Sequence, residues 1–427
     1  MIKKLIVSLC LLFSFALFAQ EGTSSPYSFY GIGDIKFKGA IDTRSMGGIS
    51  VLPDSIHLNI QNPAHLASLR LTSFAIGGTY GTTKSKTETQ ESKARRTAFD
   101  YLAIGIPVGK LGISFGLIPY SSVGYKIQRN NFEINGNDTT RVDYTQYKGI
   151  GGINKVFFGL GYQLTKKINI GADIQYNFGT IQTSNLLYQV FPLVQYGSRE
   201  NNKSEFRGVN FDLGIAYQTK VGKKHSFFSS LTFTPESQLS VSNTRNIELV
   251  EILSTSFIQP IESINVPVTD TKIKLPSKLS FGSGFGQLRN WMIGGEITLI
   301  NSSVLSNRFN DIDLAGTTSY ENSVRYNLGG YYIPNYNSFS SYYKRIVYRG
   351  GMRYENTGLV IQNKSITDFA TTLGLGLPMS GVFTNINIGV EIGKRGTKYY
   401  NLVEENYFNI SIGLSLSDKW FVKRKFE

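Results

Sequence analysis

Residues 168–179, INIGADIQYNFG, alternate without a break. Ile168, Ile170, Ala172, Ile174, Tyr176 and Phe178 share one face, and Asn169, Gly171, Asp173, Gln175 and Asn177 share the other. Residues 407–417, YFNISIGLSLS, do the same, setting Phe408, Ile410, Ile412, Leu414 and Leu416 against Asn409, Ser411, Gly413 and Ser415. Alternation sustained over about ten residues marks a β-strand. The composition of the polar face restricts the fold further. It carries Gly, Ser, Asn and Ala, where a soluble sheet would show Lys and Glu. Strands of about ten residues, apolar toward lipid, polar toward a lumen and aromatic near their ends, describe an outer-membrane β-barrel. Such a sheet must close, because lipid cannot satisfy an open edge.

Alternating runs begin near Leu71, Thr97, Lys110, Tyr144, Ile168, Ser204, His225, Lys278, Asn290, Tyr320, Ser340, Thr367, Asn385 and Leu402. They predict an all-β chain, a 14-stranded antiparallel transmembrane β-barrel. Tight connections at 108–110, 165–167, 221–224, 287–290 and 379–383 alternate with long polar stretches at 81–96, 128–143, 180–203, 236–277 and 303–319. Short periplasmic turns and longer outer loops are the bacterial pattern.

The start of the chain supplies the compartment. Lys3 and Lys4 precede an apolar run over 5–18 that ends at Ala19-Gln20, a secretory signal peptide over residues 1–20. No later apolar run approaches the ~20 residues of a spanning helix. Cys10, the only cysteine, lies within the leader, so the mature chain has no Cys-based metal or catalytic site. Export plus a barrel places the protein in the cell outer membrane of a Gram-negative bacterium. That setting argues against nucleic acid as the partner of a chain with net charge +14.

Residues 21–70 are too irregular for strands and too apolar for a disordered tail; residues 71–427 form the barrel. Asn62 is a good N-cap and Pro63 a good first-turn residue for a short helical candidate around Pro63–Leu69. A fourteen-strand barrel leaves a lumen, and residues 21–70 are expected to fill it as an N-terminal hatch. Extrapolated alternation points Asp173, Asp212, Glu296 and Glu391 into that lumen, with Arg325, Arg345, Arg349 and Arg353. Opposed inward charges pair with one another or with the hatch, or present an anion-attracting ladder to a carboxylate. The histidines His57, His65 and His225 are scattered, without a nucleophile or metal spacing beside them. FNDIDLAG, residues 309–316, lacks the ligand spacing and terminal Glu of a calcium loop. The chain therefore reads as a non-enzyme, with no metal and no cofactor. Phe408, Trp420, Phe421 and Phe426 form an aromatic C-terminal signal suited to the barrel-insertion machinery, or an interfacial anchor.

RSMGGISVLPDSIHLNIQNPAHL, residues 44–66, resembles the N-terminal hatch of the FadL-type outer-membrane transporters and their relatives, including the secretion shuttle protein PorV. The matching pieces are Gly47-Gly48, Asp54-Ser55 and Asn62-Pro63-Ala64; His65 stands where a small residue is often found. The resemblance implies a third strand kinked inward, through which hydrophobic ligand leaves sideways into the bilayer. Pro119 lies in the third strand counted above and cannot donate to a ladder. Ser121, Ser122 and Gly124 beyond Tyr120 offer little packing, and Asn62-Pro63-Ala64 would face the kink. The expected function is passive uptake of a hydrophobic small molecule such as a long-chain fatty acid, with the apolar loop 250–268 shaping an outer groove. The alternative is an accessory barrel, bound to another outer-membrane protein in a secretion or assembly complex.

Overall fold

A computed structural model describes residues 22–135, 138–192, 194–254, 257–306, 318–379 and 384–418. Fourteen wall strands follow one another around a closed antiparallel ring. β1 is Thr72–Lys86, β2 Glu91–Val108, β3 Leu111–Asn135, β4 Asp138–Gln163, β5 Ile168–Phe191 and β6 Tyr196–Val221. β7 comes in two pieces, His225–Thr234 and Ser237–Ser254, and β8 in three, Phe257–Val266, Thr271–Leu275 and Lys278–Gln287. β9 is Trp291–Ile300, β10 is Thr318–Tyr320 with Ser323–Tyr332, and β11 is Val347–Ile361. β12 is Lys364–Pro378, β13 Asn385–Arg395 and β14 Glu404–Asp418. Pro235, Pro267 and Pro276 fall in the interruptions of β7 and β8, where a missing N–H breaks no ladder bond. The ring closes where β14 pairs with β1, from Glu404↔Lys86 to Asp418↔Thr72.

Burial along the strands is inside-out. Ile170, Ile174, Tyr176, Phe408 and Ile412 are exposed, whereas Gln175, Asn177, Asn409 and Ser411 are buried. The apolar face meets lipid and the polar face lines the bore, as the alternation predicts.

Two expectations need correction. The polar stretches 81–96, 128–143, 180–203 and 236–277 are largely paired strand, as in Asn130↔Tyr144 and Gln182↔Lys203. β3 to β6 run for 25, 26, 24 and 26 residues. A tilted strand needs about 9–11 residues to cross a bilayer. At ~3.3 Å per residue the remaining ~15 residues add roughly 50 Å along each tilted strand. Beyond lipid the outer face need no longer be apolar throughout, so alternation fades while the backbone still pairs. The asymmetry between the two ends of the barrel therefore lies in hairpin height rather than loop length. The second correction concerns residues 333–346, a long connection on the short-turn side with a 3-10 turn at Tyr342–Lys344. β11 starts at Val347, not near Ser340, so Arg345 lies in this connection and stacks 5.4 Å over Tyr342 instead of facing the bore from a strand. The leader, residues 309–316, Trp420, Phe421 and Phe426 lie outside the described residues.

Candidate functional site

Residues 22–70 run through the bore and touch most of its circumference. Gly22 and Thr23 abut Ser122 and Gly124 of β3, on the raised side. Tyr27 packs with Leu359, Ile361, Ile366 and Leu402 of the β11–β14 wall. The chain then descends past Tyr101 of β2, whose hydroxyl accepts from Ile41 N–H at 3.2 Å. It crosses to β12, where Gly47 N–H donates to Thr372 Oγ1 at 2.9 Å, and to β9, where Ser50 N–H donates to Glu296 Oε2 at 2.8 Å. It ends on the short-turn side of β3 to β6.

There Asn62, Pro63 and Ala64 find their seat. Asn62 Oδ1 accepts from Ala64 N–H at 3.0 Å and caps a 3-10 turn, Pro63–Ser68. Beneath it lies a row of glycines in register across four strands: Gly112↔Gly161, Gly161↔Gly171 and Gly171↔Gly214. A Cβ on Gly171 would stand 2.6 Å from Pro63 O, and one on Gly161 2.5 Å from the same atom. The row is a bare floor that lets backbone lie on backbone. The tripeptide therefore faces these glycines and not the proline of β3, which is seven residues, roughly 23 Å, further along the strand. Alternation could not reveal the row, because glycine is neutral to it; only the register aligns the four positions.

Buried ion pairs fix the segment to the wall and the wall to itself. Lys38 reaches Asp368 at 2.9 Å, Arg44 reaches Asp100 at 3.2 Å and Arg395 reaches Asp34 at 2.9 Å. Arg353 pairs with Glu391 at 2.7 Å and Asp368 at 3.6 Å, and Arg325 with Glu355 at 2.7 Å. Arg349 donates to Asn387 Oδ1 at 2.8 Å. Asp173 and Asp212 both accept from Gln175 Nε2, at 2.7 and 2.6 Å. Asp368, Glu355 and Lys38 are the partners that inspection of the inward charges passed over. Glu355 sits two positions after Arg353 on the same face, so the spacing would have found it.

Within the segment, burial pushes the Lys36 ammonium down to about 7, with Arg96 adding to the effect. Burial works to raise the Asp34 carboxyl, yet Arg395 and the two lysines hold it well below the usual carboxylate range. His57 is raised against its burial by Asp54, 2.8 Å away. His65 is pushed down by burial to about 4, with the backbone of Ser50 opposing the shift.

The remaining called residues lie where β3 leaves β2. Those strands pair only from Leu102↔Leu117 to Val108↔Leu111. Pro119 pairs with Asn154, Tyr120 is bulged out, and pairing with β4 resumes at Ser121↔Ile153. Beyond the bulge Val123 and Tyr125 are buried in the bore cluster of Ile153, Ile181 and Phe206. The N-terminal segment takes up part of the freed edge. Asp34 and Ile35 pair with Ser122 and Ser121, Lys36 N–H donates to Tyr120 O at 2.9 Å, and Gly124 N–H donates to Ser28 Oγ at 3.2 Å. Beside the bulge is a cavity of about 180 Å³. Ile35, Phe37, Ile118 and Phe157 line one side, and Lys155, Asp212, Lys278, Glu296 and Arg325 the other. A smaller cavity, about 70 Å³, holds Lys36, Lys38, Arg44 and Arg96 with their acidic partners. Of residues 250–268, expected as a loop, 250–254 and 257–266 are paired strand of β7 and β8, with Val250 and Ile252 buried against Leu186 and Tyr188.

Comparison with known proteins fits this architecture. A family model, BamG, matches residues 1–427. The chain belongs to the BamG family. No curated protein matches it in sequence. Among solved structures, this BamG-family chain is similar to the Pseudomonas putida toluene transporter TodX, at 15% identity and a TM-score of 0.53, covering 91% of this chain and 100% of that one. It is also similar to a Pseudomonas aeruginosa FadL homologue, at 11% identity and a TM-score of 0.54, covering 92% and 100%. The Ralstonia pickettii toluene transporter TbuX aligns at 14% identity with a TM-score of 0.53, covering 90% and 99%. At these identities the likeness establishes the fold: a FadL-like outer-membrane β-barrel.

Proposed function

We propose that this BamG-family barrel is an accessory subunit of the machinery that assembles proteins into the Gram-negative outer membrane. The observation that carries the reading is the filled bore. The N-terminal segment is seated on a glycine floor at one end, ion-paired to the wall along its middle, and strand-paired to β3 at the other. A cylinder occupied in this way works through its outside, and the raised sheet of β3 to β8 gives it much outside to work with. The family name supports a place in barrel assembly. Gentle detergent extraction followed by mass spectrometry of bound proteins and bound lipids tests the reading. It expects stable copurification with another outer-membrane barrel and no ligand in the bore. A protein recovered alone with a stoichiometric small molecule would overturn it.

The parting of β2 from β3 favours a second reading, passage of a hydrophobic compound such as a long-chain fatty acid with lateral exit beside Pro119. Ile118 and Phe157 give the cavity an apolar lip at that point. On this reading Pro119→Thr restores an ordinary strand residue and abolishes uptake while the barrel still assembles. Unchanged uptake removes the lateral route.

A further inference from the structure

The sheet formed by β3 to β8 rises above the rest of the barrel, and its two outer edges differ. The β8 edge is blunted: Pro260 sits in it, its pairing with β7 slips between Pro260 and Glu262, and Pro267 ends the piece. Proline and bulges are the devices by which edges avoid unwanted pairing. The β3 edge has neither from Lys126 to Glu133 and is guarded there by charge alone; its one upper register shift falls between Glu133 and Ile134. Lys126 to Glu133 pair residue for residue with Lys148 to Arg141 of β4, without a bulge. Among the described residues no strand lies on their other side. Ile127, Phe132 and Ile134 are exposed there, Phe132 by 62% and Ile134 by 63%. Lower on the same edge, at Ser121 and Ser122, the chain already adds a strand of its own, Asp34–Ile35.

We propose that the upper edge of β3, Lys126 to Ile134, is a strand-addition site for an extended acidic and apolar segment of a partner protein. An incoming strand would satisfy the backbone groups that the edge leaves open, as edge recognition by added strands does elsewhere. Charge selects the occupant. Lys126 stands directly across from Lys148, and like charges in that position are destabilising. An acidic side chain entering opposite Lys126 relieves the repulsion, and apolar side chains cover Phe132 and Ile134. A basic segment would add a third positive charge to the row.

This inference rests on the accessory-barrel reading, and its test is independent of copurification. The full-length protein in detergent is mixed with a fluorophore-labelled synthetic nine-residue peptide that carries Glu at the end meeting Lys126, Val at the positions meeting Phe132 and Ile134, and Thr elsewhere, with carbon-13 carbonyls. A control peptide has Lys in place of Glu. Binding is followed by fluorescence anisotropy and strand formation by the isotope-shifted amide I band. The acidic peptide binds with a sheet-like shift and the basic one does not. Lys126→Glu weakens the acidic peptide at least tenfold and admits the basic one, while gel mobility before and after heating reports an intact barrel. Three results would each overturn the proposal. One is no binding of either peptide, another is binding indifferent to Lys126→Glu, and the third is a dimer of this chain by native mass spectrometry that blocks the peptide. Copurification can succeed while the peptide fails, so the two readings fall separately.

Discussion

Valine at position 171 should unseat the turn at Pro63–Ser68. A Cβ at Gly171 stands 2.6 Å from Pro63 O, and a comfortable contact of that kind needs about 3.3 Å or more. The neighbours are backbone atoms of a capped turn, so relief requires the whole turn to lift. Overpacking by one methyl costs about 1–3 kcal/mol, and the backbone preference of alanine over glycine cancels because residue 171 stays in β5 whether the turn is seated or lifted. Gly171→Ala should therefore loosen the seat by about 1 kcal/mol, roughly fivefold in the open population. Valine adds two more carbons in the same place and should raise opening about a hundredfold. Gly295 is the control. It lies on the lipid side of β9, where the nearest atom to an added Cβ is Asn327 O at 3.5 Å, so Gly295→Ala should be neutral or slightly stabilising. The assay is maleimide labelling of an introduced Ala67→Cys, buried in the turn, in a Cys10→Ser background. Labelling should accelerate in the order Gly295→Ala, Gly171→Ala, Gly171→Val. If Gly171→Val labels as slowly as the parent, the glycine row does not seat the turn, and the reasoning fails.

Arg353→Met strips Glu391 of its charged partner in the bore, whereas Asp368 keeps Lys38; the loss should be about 3 kcal/mol, near the low end for a broken buried pair. Urea unfolding in detergent micelles reads it, and adding Glu391→Gln should recover part of the loss. His65 has a folded pKa lowered to about 4 from 6.5, so its stabilising contribution is present above pH 6.5 and lost as pH falls toward 4. His57, raised by Asp54, acts with the opposite sign, contributing below pH 6.5 and losing its contribution as pH rises through its folded value. Divided by the thiolate fraction at each pH, labelling at Ala67→Cys should accelerate on acidification, and His65→Leu should flatten that acid limb. Lys36, pushed down to about 7, makes the segment more stable as pH rises from about 7 to 10.5, a trend that Lys36→Met should remove.

Most of the wall was legible because lipid imposes a strong rule on alternate residues. Ile168 to Phe178 and Phe408 to Leu416 obey it through the bilayer. The rule weakens where solvent bathes both faces, which is why Asn130 to Asn135 and Asp138 to Asp143 pass for a loop although they are ladder. It also fails at a bulge. Once Tyr120 drops out of register, the burial of Val123 and Tyr125 cannot be extrapolated from Ile113 and Phe115. The inward charges were readable as a set, but their partners were not all found. Glu296 turned out to hold the backbone of Ser50, a contact that no strand pattern carries. Arg345 was misplaced because a 3-10 turn of tyrosines and lysine has the aromatic content of a strand end.

The route of the leading segment fixes the tempo of folding. Residues made first find their partners among those made last: Lys38 waits for Asp368, 330 positions away, and Asp34 for Arg395, 361 away. Contacts so distant in sequence form slowly. The ion pairs of Lys38 and Asp34 must therefore wait until β12 and β13 have joined the wall, and newly inserted cylinders should pass through an interval in which the stopper is held by the early strands alone.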